Sequence, residues 1–176
     1  MTREQLKEFG KLALVTFKEP LASYGFKRES KKTEEYFFNA VFVNDTRYVK
    51  ILANIHPRDY PPYFNIVLGE GGRDFFEADW NSIPLWRMKE SIQNTATTGQ
   101  YTLEHPEDIP RLIELARDEL FEFAAEFLNG DLKTFKQARA EQNRSRPPYR
   151  VYSPDEDGKY TVQDDPESVK LKERYS

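Results

Sequence analysis

The chain has 176 residues, 14% of them aromatic, no cysteine and a formal net charge of −4 at pH 7. That length suffices for one domain with a real core, and the aromatic share is that of a packed domain rather than a disordered segment. The lack of cysteine excludes disulfides, thiolate metal sites and a cysteine nucleophile, and the net negative charge gives no general attraction to nucleic acid or to an anionic membrane. No apolar run approaches the length of a membrane span, and Met1-Thr2-Arg3-Glu4-Gln5 lacks the apolar region of a signal peptide, so a soluble cytoplasmic protein is expected.

Thr2 and Gln5 have the spacing of a capping box, and Leu6, Phe9, Ala13 and Phe17 follow at three- or four-residue steps. This predicts a helix from Thr2, with a break at Pro20 and a close at Tyr24-Gly25-Phe26, where glycine takes the left-handed position and Phe26 folds back. Charged residues from Phe26 to Lys31 suit a short edge strand.

Two runs rich in β-branched and aromatic residues come next, Tyr36 to Val43 and Arg47 to Ile55. With Asn44-Asp45 as a two-residue loop, Phe42 pairs with Arg47, Ala40 with Val49 and Phe38 with Ile51. Tyr36, Phe38, Ala40, Phe42, Val49, Ile51 and Ala53 then share one face, the expected core face. The opposite face carries Phe37, Val41, Tyr48 and Leu52 beside Asn39 and Lys50. It is too apolar to be left wholly to water, so a later segment or a partner is expected to cover part of it.

His56 to Tyr63 contains three prolines and reads as a stiff loop. A third central strand, Tyr63 to Leu68, places Phe64, Ile66 and Leu68 on one side. Gly69-Glu70-Gly71-Gly72 lacks the lysine and hydroxyl of a phosphate-binding loop and reads as a turn. The segments Phe75 to Trp80 and Ile83 to Arg87 suit short helical turns packed on an end of the sheet. Ser91 to Gln100 reads as a loop and Tyr101 to Leu103 as a brief extended piece.

Pro106 suits the first turn of a helix. Ile109, Ile113, Ala116, Leu120, Phe123 and Phe127 then form an apolar stripe over more than five turns, ended by Asn129-Gly130. Asp131 is placed to cap a further helix carrying Leu132, Phe135 and Ala138. After Arg146-Pro147-Pro148 the composition turns acidic. Two strand-like pieces, Tyr149 to Tyr152 and Lys159 to Val162, flank a turn-rich segment, and this tail is expected to wrap the face bearing Phe37 and Leu52.

Candidate chemistry is sparse. The histidines, His56 and His105, stand beside prolines in loops, with no metal-binding spacing around them. His56 with Asp59 has the makings of a general base and its orienting carboxylate, though no nucleophile or oxyanion motif accompanies it. Arg58, Asp59, Glu70, Arg73, Asp79 and Arg87, gathered with Trp80 and Trp86, have the composition of a binding hot spot. The competing reading puts both tryptophans in the core and the charges in surface pairs. Lys133, Lys136 and Arg139 share one helical side, but the interspersed Glu141 suits a solvated face better than a nucleic-acid surface.

The order of a helix, Gly25-Phe26-Lys27, antiparallel strands and an acidic amphipathic helix resembles small bacterial domains of unknown function, some of them similar to immunity proteins of polymorphic toxin systems. The resemblance covers residues 1–135 and carries over no catalytic residue. It implies a protein-binding role, with an acidic surface that meets a basic toxin.

The expectation is a single α+β domain over residues 1–145, with an antiparallel meander of about four strands, an N-terminal helix and two C-terminal helices packed on it. An extended C-terminal tail, 146–176, packs on this body. The expected function is non-catalytic protein interaction, through the Phe37–Leu52 face or the Trp80–Trp86 segment. The alternative is a small-molecule-binding protein or hydrolase using His56, Asp59, Glu70 and Arg73. Neither reading calls for a cofactor or metal, and another protein is the expected partner rather than nucleic acid or membrane.

Overall fold

The computed structural model describes residues 1–97, 99–154 and 157–176. Asp155 and Glu156, within the turn-rich segment of the tail, lie outside the described residues. The fold is α+β. In chain order it runs α1 (Arg3–Ser23), β1 (Lys27–Thr33), β2 (Phe37–Asn44), β3 (Arg47–Asn54), β4 (Tyr63–Glu70), α2 (Phe75–Asn81), β5 (Ser82–Pro84) and α3 (Leu85–Gln93). There follow β6 (Tyr101–Thr102), a single 3₁₀ turn (Pro106–Asp108), α4 (Ile109–Phe123), α5 (Ala125–Asn129), α6 (Lys133–Ser145), β7 (Arg150–Pro154), β8 (Tyr160–Asp164) and α7 (Pro166–Tyr175). No helix among the described residues is long and apolar enough to cross a membrane.

The main sheet is an antiparallel meander, β1-β2-β3-β4-β5, with β6 paired to β4. α1 begins with the expected capping box: the Gln5 amide donates to Thr2 Oγ1 at 3.3 Å and the Thr2 amide to Gln5 Oε1 at 2.7 Å, a device worth about 1 kcal/mol. The helix runs through Pro20 without a break and closes as a Schellman turn. Gly25 takes φ +80°, the Phe26 amide donates to the Leu21 carbonyl, and the Phe26 ring is buried.

The β2–β3 hairpin departs from the expected register. Asn44 pairs with Arg47, so the loop is Asp45-Thr46, and Phe42 faces Val49, Ala40 faces Ile51 and Phe38 faces Ala53. Asn44 is held in the strand because its Nδ2 donates to the Tyr24 carbonyl at 2.8 Å, and Asp45 takes the left-handed backbone instead, at φ 58°. The change moves each residue's partner by two positions, an even step that keeps every side chain on its face. Phe38, Ala40, Phe42, Val49, Ile51 and Ala53 therefore form the core face with Phe64, Ile66 and Leu68, all buried. Against this face pack Leu6, Phe9, Ala13 and Phe17 of α1, Ile113, Ala116 and Leu120 of α4, Phe127 of α5 and Phe135 of α6, in one continuous cluster.

The stripe from Ile109 to Phe127 is buried throughout, but it spans two helices rather than one. Ala124 leaves helical geometry at φ −118°, and α5 then ends at Gly130, φ +97°. Asp131 Oδ1 accepts from the Lys133 amide at 3.0 Å at the start of α6.

The tail packs on the body at a different place from the one expected. Arg146 lays its guanidinium 4.6 Å from the centre of the buried Trp80 ring, donates to the Asp79 carbonyl at 2.7 Å and pairs with the Asp79 carboxylate. α7 starts at the Asp165 cap, where the Ser168 amide donates to Oδ2 at 2.7 Å. The helix lies against α2 and α6, and its last residues lock in. Asn143 Nδ2 donates to the carbonyls of Trp80 and Tyr175, Tyr175 Oη donates to Glu77 Oε1 at 2.5 Å, and the Tyr175 ring stacks 4.7 Å from the Arg139 guanidinium. The Phe37–Leu52 region receives none of these contacts.

Candidate functional site

The second sheet face divides into a covered half and an open half. At the hairpin end, α2 lies against β4 and β5, and Tyr48 is fully buried, its hydroxyl donating to Asn81 Oδ1 at 2.6 Å. From Gly71 the chain then crosses the sheet toward β1, where Arg73 pairs with Glu29 at 2.6 Å. Lys50 lies beneath this strap, with its ammonium 4.8 Å from the Tyr48 ring centre and in no ion pair among the described residues. Burial pulls its pKa below the ordinary lysine value, and the like charge of Arg73 pushes the same way against Asp74.

At the other end the face is uncovered. Phe37, Leu52 and Tyr63, with Phe75 at the start of α2, enclose an open groove of about 550 Å³ whose outer lip is Lys32 and Glu34. Its floor is a row of cross-strand neighbours, Asn39, Leu52 and Asn65. The Oδ1 atoms of both asparagines are shielded from solvent and have no hydrogen-bond partner among the described residues, which a native interior rarely tolerates without compensation. Phe37 is 45% exposed and Phe75 78% exposed. Exposed apolar walls around a concave floor are the usual construction of a recognition site.

The residues singled out by sequence fall into separate places. His56 and Asp59 share the prolyl loop: His56 Nδ1 accepts from the Arg58 amide at 3.2 Å, and Asp59 Oδ2 accepts from Asn54 Nδ2 at 2.8 Å, with no carboxylate among the described residues on the imidazole. Arg58 is exposed in the same loop. Glu70 stands at the far end of β4 from Tyr63, roughly 23 Å away at about 3.3 Å per residue, and pairs there with Lys136 and Arg139 of α6. Arg73 is committed to Glu29. Trp80 is wholly buried under Arg146, so it presents nothing to a ligand, while Trp86 is partly exposed with the Arg87 guanidinium 4.5 Å from its ring centre. Arg87 also pairs with Glu90 and lines a polar hollow between α3 and α6. Thus His56, Asp59, Glu70 and Arg73 do not form one constellation, and no group of three or more His, Cys, Asp or Glu among the described residues is placed to hold a metal.

Sequence inspection places Asn39 on this face beside Phe37 and Leu52 but passes over Asn65, Tyr63 and Phe75 as groove residues. The signal was present in the strands: asparagine interrupts two otherwise apolar runs at positions that become neighbours of the same leucine. Comparison with protein-family models, with curated proteins and with solved structures gave no match.

Proposed function

We propose that this chain is a non-catalytic interaction protein that receives a partner protein on the open half of its second sheet face. The observation that carries this reading is the pair of exposed rings, Phe37 and Phe75, facing one groove. Exposed aromatic groups in a concave, polar-rimmed patch are typical anchors of protein contacts. The scatter of His56, Asp59, Glu70 and Arg73 supports a binding role over hydrolysis. The resemblance to immunity proteins would make the partner a toxin, and the acidic balance of the chain suits a basic one. A cytoplasmic setting belongs to the same proposal.

The test is affinity capture with three baits: wild type, Phe37→Ser/Phe75→Ser, and His56→Ala/Arg73→Ala. A stoichiometric partner held by the first and third and lost by the second is expected. Loss with the third bait and retention by the second would move the contact to the prolyl loop and overturn the assignment.

A further inference from the structure

The β7–β8 hairpin stands apart from the main sheet, and every residue of β8 is exposed. By register, Tyr152 faces Val162 and Pro154 faces Tyr160, so these four side chains share one face of the ribbon. Tyr152 is 63% exposed, Tyr160 67% and Val162 51%. A lone two-stranded ribbon is marginally stable in water, and this one turns aromatic groups outward. The same molecule therefore carries an exposed apolar arm and an open apolar groove.

Resting on the reading of that groove as a protein contact surface, we propose that a second copy of this chain fills it when the partner is absent. Each hairpin enters the other copy's groove about a two-fold axis, so that partner binding and self-association compete.

The placement of the two surfaces favours this occupant. The arm and the groove border the same helix: Phe75 of the groove wall lies 5.9 Å from Phe76, and Phe76 lies 5.7 Å from Tyr149 at the base of the arm. An isologous contact needs both complementary patches on one side of the molecule, and this arrangement supplies them. The two surfaces also share a character: Tyr152 and Tyr160 on the arm and Phe37 and Phe75 on the groove wall are exposed aromatic rings.

Area decides between the ways of pairing. Taking roughly 200 Å² for a fully buried aromatic side chain, the exposed part of the arm comes to roughly 350–400 Å², and the exposed rings of Phe37 and Phe75 add roughly 250 Å² at the groove. Stacking hairpin on hairpin would bury roughly 800 Å² in all, the level of a crystal contact. Two reciprocal arm–groove contacts bury roughly 1,200 Å², the lower edge of the range of stable interfaces.

The experiment is sedimentation of the full chain across a wide concentration series, for wild type, Phe37→Ser, Tyr160→Ser and an equimolar mixture of the two variants distinguished by isotope label. Both side chains are exposed, and near-ultraviolet circular dichroism verifies the fold of each variant. The expected result is a wild-type mass rising from 20.8 kDa toward twice that value, with each variant needing about tenfold more protein, or beyond, to dimerise. In the mixture, heterodimers should exceed their statistical share, because one intact arm then meets one intact groove and the two defects fall in a single contact. A wild type that stays monomeric throughout, a dimer indifferent to Phe37→Ser, or heterodimers at the statistical share would each overturn the proposal. A monomer that still captures a partner through Phe37 would overturn self-association alone. A reciprocal dimer that captures nothing would leave self-association standing and sink the partner reading.

Discussion

The ring of Tyr48 fills the space that a side chain at position 69 would need. A Cβ built on Gly69 lies 2.0 Å from Tyr48 Cζ, and the two residues are cross-strand neighbours on the second sheet face. The glycine thus belongs to packing between β3, β4 and α2, not to a phosphate-binding loop. Gly69→Ala should force the tyrosine out of its place and break its bond to Asn81, destabilising the fold by about 3 kcal/mol. Tyr48→Phe keeps the ring but strands the Asn81 oxygen, and should cost about 1–2 kcal/mol. Urea denaturation measures both, and the ordering alanine worse than phenylalanine is the decisive part.

Lys50 gives a pH signature. Its folded-state pKa lies below the ordinary value of 10.5, through burial and then the charge of Arg73. The unfolded chain therefore holds the proton more tightly, so charge on Lys50 opposes folding at neutral pH. That opposition fades as the pH climbs through the folded value to the unfolded one. Lys50→Met should accordingly be more stable than wild type at pH 7, with the advantage shrinking as the pH approaches the ordinary lysine range. Equal stability at pH 7 would mean that the contact with the Tyr48 ring compensates for burial of the charge.

How far the sequence was legible follows from the range of each interaction. The closing turn at Gly25-Phe26, the stripe from Ile109 to Phe127 and the core face of the hairpin are periodic or local signals, and they are found in place. The hairpin loop was misplaced because Asn44 is claimed by the Tyr24 carbonyl, twenty residues away, which no local turn rule sees. The break at Ala124 leaves no mark in a stripe that stays buried on both sides of it. α7 did announce itself, through Asp165-Pro166-Glu167, the cap, first-turn proline and first-turn acid of a helix, but its acidic surroundings masked that signal. The groove was only half legible. Phe37 and Leu52 mark the face, whereas the side on which α2 and the tail would settle depends on Arg73–Glu29, Arg146–Asp79 and Asn143–Tyr175, all long-range pairs.

Arg47 ties the hairpin to the helical layer. Its Nη1 donates to the carbonyls of Phe127 and Leu128 at 2.6 and 2.8 Å, at the C-terminal end of α5, and its guanidinium lies 5.3 Å from the Phe26 ring centre. A cation at the end of a helix satisfies carbonyls that have no partner within it. Arg47→Ala should cost about 2–3 kcal/mol, and Arg47→Lys should recover only part of it, since an ammonium lacks the planar fork that stacks and donates at once. Thermal unfolding of the three proteins orders them; a lysine variant equal to wild type would reduce the role of Arg47 to its charge.

The tail beyond Ser145 is predicted to be an integral part of the folded body. Removing it strips Arg146 and Tyr149 from the Trp80 ring, leaves the Arg139 guanidinium without the Tyr175 ring and takes one acceptor from the buried Asn143 amide. Trp80 is one of only two tryptophans, so its exposure is directly readable as a red shift in fluorescence. A chain ending at Ser145 should show that shift and lose about 3 kcal/mol or more of stability. Arg146→Ala in the full chain isolates the clamp from the helix. It should lose about 2 kcal/mol through the ring contact and the bonds to Asp79, with a smaller shift because α7 still covers the site through Asn143 and Tyr175. If Arg146→Ala matches the truncation in both readouts, α7 docks only through the clamp. If it matches wild type, the tail is held by its last turn, and Tyr175→Ala becomes the variant that releases it.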